Sequence, residues 1–272
     1  MTFRLSGKTY EHIKQSFEEG AYGEIFLVKD ADTDKNYIVK KTRPYERIAE
    51  HQKNLAYLEK EYDILTSIKE CPNIICVEGF IRDVDVDGEE YALILMEHAK
   101  GKDLFDFIKW YKEQLRQTLT FSQFYNYVWQ LVTAVQCFHA KHIYHLDIKI
   151  ENIVFRDTSH TQLAIIDFGL AEYHPDDQCG GKAGTPGCQA EEVRHLRSGQ
   201  TYACSKSDIY SLSIVFRELR SIAPYYTMTK EQNMQYIDLW GKMNSFLPEN
   251  RPTIEEVVKS DFFRLNFDVL NE

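Results

Sequence analysis

No apolar run in the 272-residue chain approaches the roughly 20 residues that a membrane-spanning helix needs, and the N-terminus lacks the apolar core of a signal segment. The expectation is a cytoplasmic or nucleo-cytoplasmic protein with no membrane partner. CxxC pairs are missing too. The six cysteines stand at 71, 76, 137, 179, 188 and 204, without metal-ligand spacing. Scattered in this way, they read as reduced thiols of a cytosol-like compartment. Internal repeats and low-complexity tracts are absent, which excludes solenoids and biased linkers. Positive charge is in deficit: 32 Lys and Arg against 42 Asp and Glu give a formal charge of −10. A general binder of nucleic-acid backbones is thereby excluded, whereas basic peptides would be attracted. What is present is ordinary for a soluble globular chain, with 43% hydrophobic and 27% charged residues. The length suits one large domain or two lobes.

The stretch around which the rest is organised is His145-Leu146-Asp147-Ile148-Lys149-Ile150-Glu151-Asn152. At this spacing an Asp can accept a hydroxyl proton, the Lys can neutralise a travelling phosphoryl group, and the Asn can hold a metal. Upstream, residues from about Tyr10 to Lys41 read as strands joined by turns. Gly20 and Gly23 would let a hairpin backbone approach phosphates, and a plain β-turn is the alternative reading. Tyr37-Ile38-Val39-Lys40 is an apolar strand ending in a cation. From Glu46 to Lys69, Leu55, Leu58, Tyr62 and Leu65 fall at helical spacing. Glu61 lies near that apolar face, where a partner such as Lys40 would relieve the cost of a buried carboxylate. Ile74 to Asp83 and Glu90 to Met96 read as strands around an Asp87-Gly88 turn. The lobe boundary falls in the polar connector Glu97 to Lys102, followed by helix from Asp103 to Tyr111. Thr120 caps a helix whose stripe Phe121, Phe124, Val128, Leu131, Val135 and Phe138 is core. Two short strands, Ile153 to Phe155 and Leu163 to Ile166, end in Asp167-Phe168-Gly169. A carboxylate at that strand end is placed to ligate Mg²⁺.

Together these residues resemble a eukaryotic-type serine/threonine protein kinase over nearly the whole chain. The resemblance implies a glycine-rich loop at Gly20 to Gly23 and a strand lysine at Lys40 paired with Glu61. It implies a hinge at Leu95 to Ala99, with Met96 as gatekeeper and Asp103 at the ribose. Further nucleotide contacts would come from Ile25, Ile38, Glu97, His98 and Val154. Asp147 would be the base, Lys149 would meet the transferred phosphate, and Asn152 and Asp167 would hold metal. The implied cofactors are ATP with Mg²⁺ or Mn²⁺, and the implied substrate is a protein or peptide. Gly184-Thr185-Pro186-Gly187 resembles the substrate-facing loop, and Ala190-Glu191-Glu192 the motif that closes the activation segment. Ser207 to Leu212 resembles the start of the buried central helix, and Arg251 the partner of Glu192. The expected fold is α+β and bilobal: a five-stranded antiparallel N-lobe over about 1–97, a hinge over 97–102 and a mainly helical C-lobe over 103–272.

Several positions depart from the family pattern. Glu18 stands where a loop glycine is usual, Ile38 where a small residue covers adenine, Leu146 for Arg, and Ile150 and Glu191 for Pro. The helix after the central one should be abbreviated, with Met234 to Leu247 forming the next. Leu146 cannot pair with a phosphate, and Glu172 lies where a second cation is usual. Tyr173 is the only hydroxyl side chain from Leu170 to Ala183. Activity is therefore expected without phosphorylation of the activation segment. Asp103 and Glu151 imply a preference for basic residues upstream of the target. Two rival readings stay open: a nucleotide-binding pseudokinase scaffold and a small-molecule phosphotransferase.

Overall fold

Ser6 and Gly7 both take positive φ, 51° and 83°. Such a two-residue turn matches the twist of a hairpin, and here it joins β1 (Thr2–Leu5) to β2 (Lys8–Gly20). The sheet continues with β3 (Gly23–Asp30), β4 (Asn36–Lys41), β5 (Val77–Val86) and β6 (Glu89–Glu97). All pairings are antiparallel, in the order β1-β2-β3-β4-β6-β5. The computed structural model describes residues 2–20, 23–42, 48–86 and 89–271, with side chains for 2–13, 24–42, 52–82, 84 and 91–270. Five strands were expected and six are found. The addition is β1, held because Phe3 stacks on Tyr10 at 5.3 Å and joins the apolar cluster of one sheet face. The Asp87-Gly88 turn lies outside the described residues.

That face carries Val28, Tyr37, Val39, Tyr91, Leu93 and Leu95 in the same cluster. Period-two alternation sends Ile25, Ile38, Lys40 and Met96 to the other face. Helix α1 (Ile48–Ser67) meets this second face through Glu61, and its Leu58, Ile64 and Leu65 are buried.

The chain divides into two compact units, Met1–Lys69 with Ile75–Ala99, and Glu70–Ile74 with Lys100–Glu272. The second is mostly helical. Asp103 caps α2 (Leu104–Trp110), which runs on as a π-helical turn over Tyr111–Leu115 and ends with Arg116 left-handed. Thr120 and Gln123 cap α3 (Phe121–His139) reciprocally, so the expected start holds. Three short antiparallel pairs follow: β7 (Ile143–Tyr144) with β10 (Glu172–Tyr173), β8 (Ile153–Phe155) with β9 (Leu163–Ile165), and β11 (Gln178–Gly180) with β12 (Thr201–Ala203). After α4 (Glu191–Arg194), the central helix α5 (Cys204–Arg220) is largely buried. Then come α6 (Lys230–Met243), α7 (Ile254–Val258) and α8 (Asp261–Arg264).

Two further expectations are corrected. The helix assigned to Met234–Leu247 is α6, which starts at Lys230 because Thr229 and Gln232 form its capping box. Its buried face is Tyr236, Leu239 and Met243, whereas Met234 and Ile237 are exposed. The six thiols are not all reduced: Cys71 is bonded to Cys137 and Cys179 to Cys204, and Cys76 and Cys188 take part in no disulfide. Among the described residues no helix is long and apolar enough to cross a membrane.

Candidate active site

Strand register brings several of the expected site residues together within the sheet unit. Lys40 lies opposite Ile25 on β3, and Ile38 lies opposite Met96 on β6, so all four share a face. Lys40 Nζ is 2.6 Å from Glu61 Oε2, and both side chains are largely buried. Away from bulk water each group compensates the other, where either partner alone would be costly. Gly20 and Gly23 are register partners at the end of the β2–β3 hairpin, and residues 21 and 22 lie outside the described residues. Glu18 pairs with Ile25 in the same hairpin. The Glu97 amide donates to Cys76 O at 2.9 Å, and His98 is half-buried.

In the helical unit, a buried carboxylate shapes a loop. Asp208 on α5 is fully buried. Its Oδ2 accepts from the His145 amide (2.8 Å) and from His139 Nε2 (3.0 Å), and its Oδ1 accepts from the Leu146 amide (2.8 Å). These bonds hold Leu146 at φ 63°, a left-handed conformation that a non-glycine residue adopts only when its surroundings impose it. The His145 ring adds a second brace. Its Nδ1 accepts from the Asp147 amide (3.2 Å), which leaves Nε2 to donate to Ile166 O (3.0 Å).

Three donors meet the Asp147 carboxylate. Oδ1 accepts from the Thr185 amide at 2.7 Å, while Oδ2 has Lys149 Nζ at 3.0 Å and Asn152 Nδ2 at 3.2 Å. Lys149 Nζ also donates to Thr185 Oγ1 at 2.8 Å. Asn152 Nδ2 donates to Asp147 O at 3.0 Å, and the Asn152 carbonyl accepts from the Ile166 amide at 2.9 Å. That last bond ties Asn152 to the strand end carrying Asp167, which is left-handed (φ 59°) and exposed. Asn152 and Asp167 offer oxygen donors, and an exposed carboxylate leaves room for water and phosphate on the same ion. This donor set fits a hard cation such as Mg²⁺. Asp103 Oδ1 accepts from the Asp106 amide at 2.7 Å, and Asp103 bridges to Val154 on β8.

The Glu192 carboxylate meets Arg251 through two bonds, 2.6 and 2.9 Å. Leu146 packs with Tyr144, Cys179, Val193, Tyr202 and Cys204 in one apolar cluster. Burial first, then the Glu151 and Asp147 carboxylates, pushes the Cys188 thiol up. Two features escaped the sequence reading. The three bonds made by Asp208 join residues more than 60 positions apart, so no local pattern announces them. The Cys179–Cys204 pairing would have needed the β11–β12 register.

The sequence pattern of the protein kinase domain matches residues 12–263. The chain belongs to the protein kinase domain family. Among its relatives, the mouse serine/threonine-protein kinase Nek4 is 27% identical over 276 residues, covering 93% of this chain and 32% of that protein. CBL-interacting protein kinase 19 of Oryza sativa subsp. japonica is 27% identical, covering 91% of this chain and 49% of its own length. Myosin light chain kinase A of Dictyostelium discoideum is 28% identical, covering 85% and 72%. The chain thus spans about a third of the first relative and about half of the second.

Proposed function

We propose that the protein transfers the γ-phosphate of ATP to a Ser or Thr hydroxyl of a protein substrate. The observation that carries this reading is the Asp147 carboxylate, held by the Thr185 amide, with the Lys149 ammonium beside it and bonded to Thr185 Oγ1. Asp147 accepts the proton as the substrate oxygen bonds to the γ-phosphorus, and the bond to the β-phosphate oxygen breaks to release ADP. Lys149 neutralises charge on the moving group, and Lys40, fixed by Glu61, serves the ATP phosphates. Asn152 and Asp167 would hold Mg²⁺, whose chemistry when bound is neutralisation of phosphate charge. Gly20, Gly23, Ile25, Ile38, Met96, Glu97, His98, Asp103 and Val154 are assigned to the nucleotide. Catalysis of this type is mostly positioning and charge complementarity.

Activity needs no phosphate on the activation segment, because other bonds already order it. Asp177 caps the start of α5, accepting from the Ser205 amide (2.7 Å) and hydroxyl (2.5 Å). Cys179 is bonded to Cys204, β10 pairs with β7, and Leu146 fills the apolar cluster in place of a phosphate-binding Arg. Glu172 pairs with His174 at 2.6 Å. The exposed Glu151, together with Asp103, favours basic residues upstream of the target. A Ser/Thr peptide array with ATP and Mg²⁺ tests the reading. Phosphorylation enriched for upstream Arg or Lys is expected. Labelling of acidic or proline-directed peptides would refute the preference, and a blank array would refute the activity.

A further inference from the structure

Gln189 performs no chemistry, yet its side chain reaches Asp147 through a single peptide unit. Its Nε2 donates to the carbonyls of Ala183 (2.7 Å) and Gly184 (2.8 Å). The Gly184 carbonyl and the Thr185 N–H belong to one planar trans peptide, with oxygen and hydrogen on opposite sides. That N–H donates to Asp147 Oδ1 at 2.7 Å. Gln189 and Asp147 therefore hold the two ends of the same peptide dipole. Hydrogen bonds in series polarise one another, so a donor on the carbonyl strengthens the N–H as a donor to the carboxylate.

The backbone at this point needs such a hold. Gly184 has φ +90°, and a Cβ there would fall 2.6 Å from Leu146 O, so only glycine fits. Glycine also leaves the 184–185 peptide free to rotate in any state where nothing grips it. Gln189 is itself fixed, since its backbone N–H and that of Cys188 both donate to Thr185 O, at 3.2 and 3.0 Å. The grip thus starts from a closed turn and ends on the carboxylate.

We propose that Gln189 is a positioning residue for phosphoryl transfer. It clamps the 184–185 peptide so that the Thr185 N–H keeps Asp147 in the orientation that receives the hydroxyl proton. The proposal rests on the reading of Asp147 as the base. A Gln is needed rather than any side chain of its size, because two carbonyls require an N–H donor. Glu matches its shape but as a carboxylate only accepts, and Met matches its length with no donor.

The test compares full-length wild type, Gln189→Glu and Gln189→Met. For peptide phosphorylation, kcat should fall about tenfold or more in both variants, within the range that misplacing a reacting group produces. The KM for ATP and the Tm should stay at wild-type values. Amide exchange at Thr185, followed by NMR, should accelerate at least about tenfold while α5 keeps its protection. Wild-type kcat in either folded variant would overturn the proposal, as would a loss that tracks a fall in Tm. Should wild type phosphorylate no peptide, the functional reading fails on its own, and Thr185 exchange still judges the clamp. Unchanged exchange in Gln189→Met would then sink it. Should Gln189→Glu misfold, Gln189→Met carries the comparison alone.

Discussion

Arg251 uses all five of its guanidinium protons. Nε donates to Ser245 O, one terminal nitrogen to Glu192 Oε1 and Lys206 O, and the other to Glu192 Oε2 and Phe246 O. The cation also lies over the Tyr210 ring, 4.9 Å from its centroid. Removing it strands a carboxylate and three carbonyls at once, the situation in which a buried pair is most costly to break. Arg251→Met should lower unfolding stability by about 3–5 kcal/mol in urea titration. A loss under about 1 kcal/mol would show that water repairs the gap. The Glu192–Arg251 pairing was legible in the sequence because both residues lie in recognisable motifs. Gln189 was not, because its role depends on where two carbonyls point, and no residue pattern encodes that.

At the scale of elements, the proposed order of the activation segment without a phosphate rests on covalent and apolar ties. The Cys179–Cys204 bond closes a loop across 25 positions of sequence. Constraining a loop of that size is worth about 3.5 kcal/mol in the chain-entropy account. Cys179→Ser should therefore leave α3 and α5 folded while exposing residues 170–190 to limited proteolysis. Cleavage at the wild-type rate would mean that the Asp177 cap and the β-pairings suffice alone. Phosphatase treatment of the wild-type protein should leave its kinase rate unchanged. A large drop, restored by phosphorylation within residues 170–185, would overturn the claim. Helix α3 was legible because its cap residues and its apolar stripe agree. Helix α6 was misplaced because exposed Met234 and Ile237 imitate a buried stripe. The added strand β1 went unread because its evidence is a two-residue turn and a single ring stack.

At the scale of the whole molecule, the division into a sheet unit and a helical unit follows from where the sequence changes period. Apart from helix α1, alternating apolar residues dominate up to β6, and helical spacing dominates from α2 onward. The sheet unit holds the Lys40–Glu61 pair, and the helical unit holds Asp147, Lys149, Asn152 and Asp167. The net charge of −10 suits a basic peptide better than an acidic one. The central claim is that this chain phosphorylates protein hydroxyls with Asp147 as the base, and one substitution addresses it directly. Asp147→Asn keeps the size of the side chain and its contact with Thr185 while removing the carboxylate. Phosphate transfer from labelled ATP to a Ser/Thr peptide should fall by about 10²–10⁴-fold, with ATP affinity, measured by calorimetry on the same preparation, unchanged. Transfer by Asp147→Asn at a rate near wild type would contradict the account.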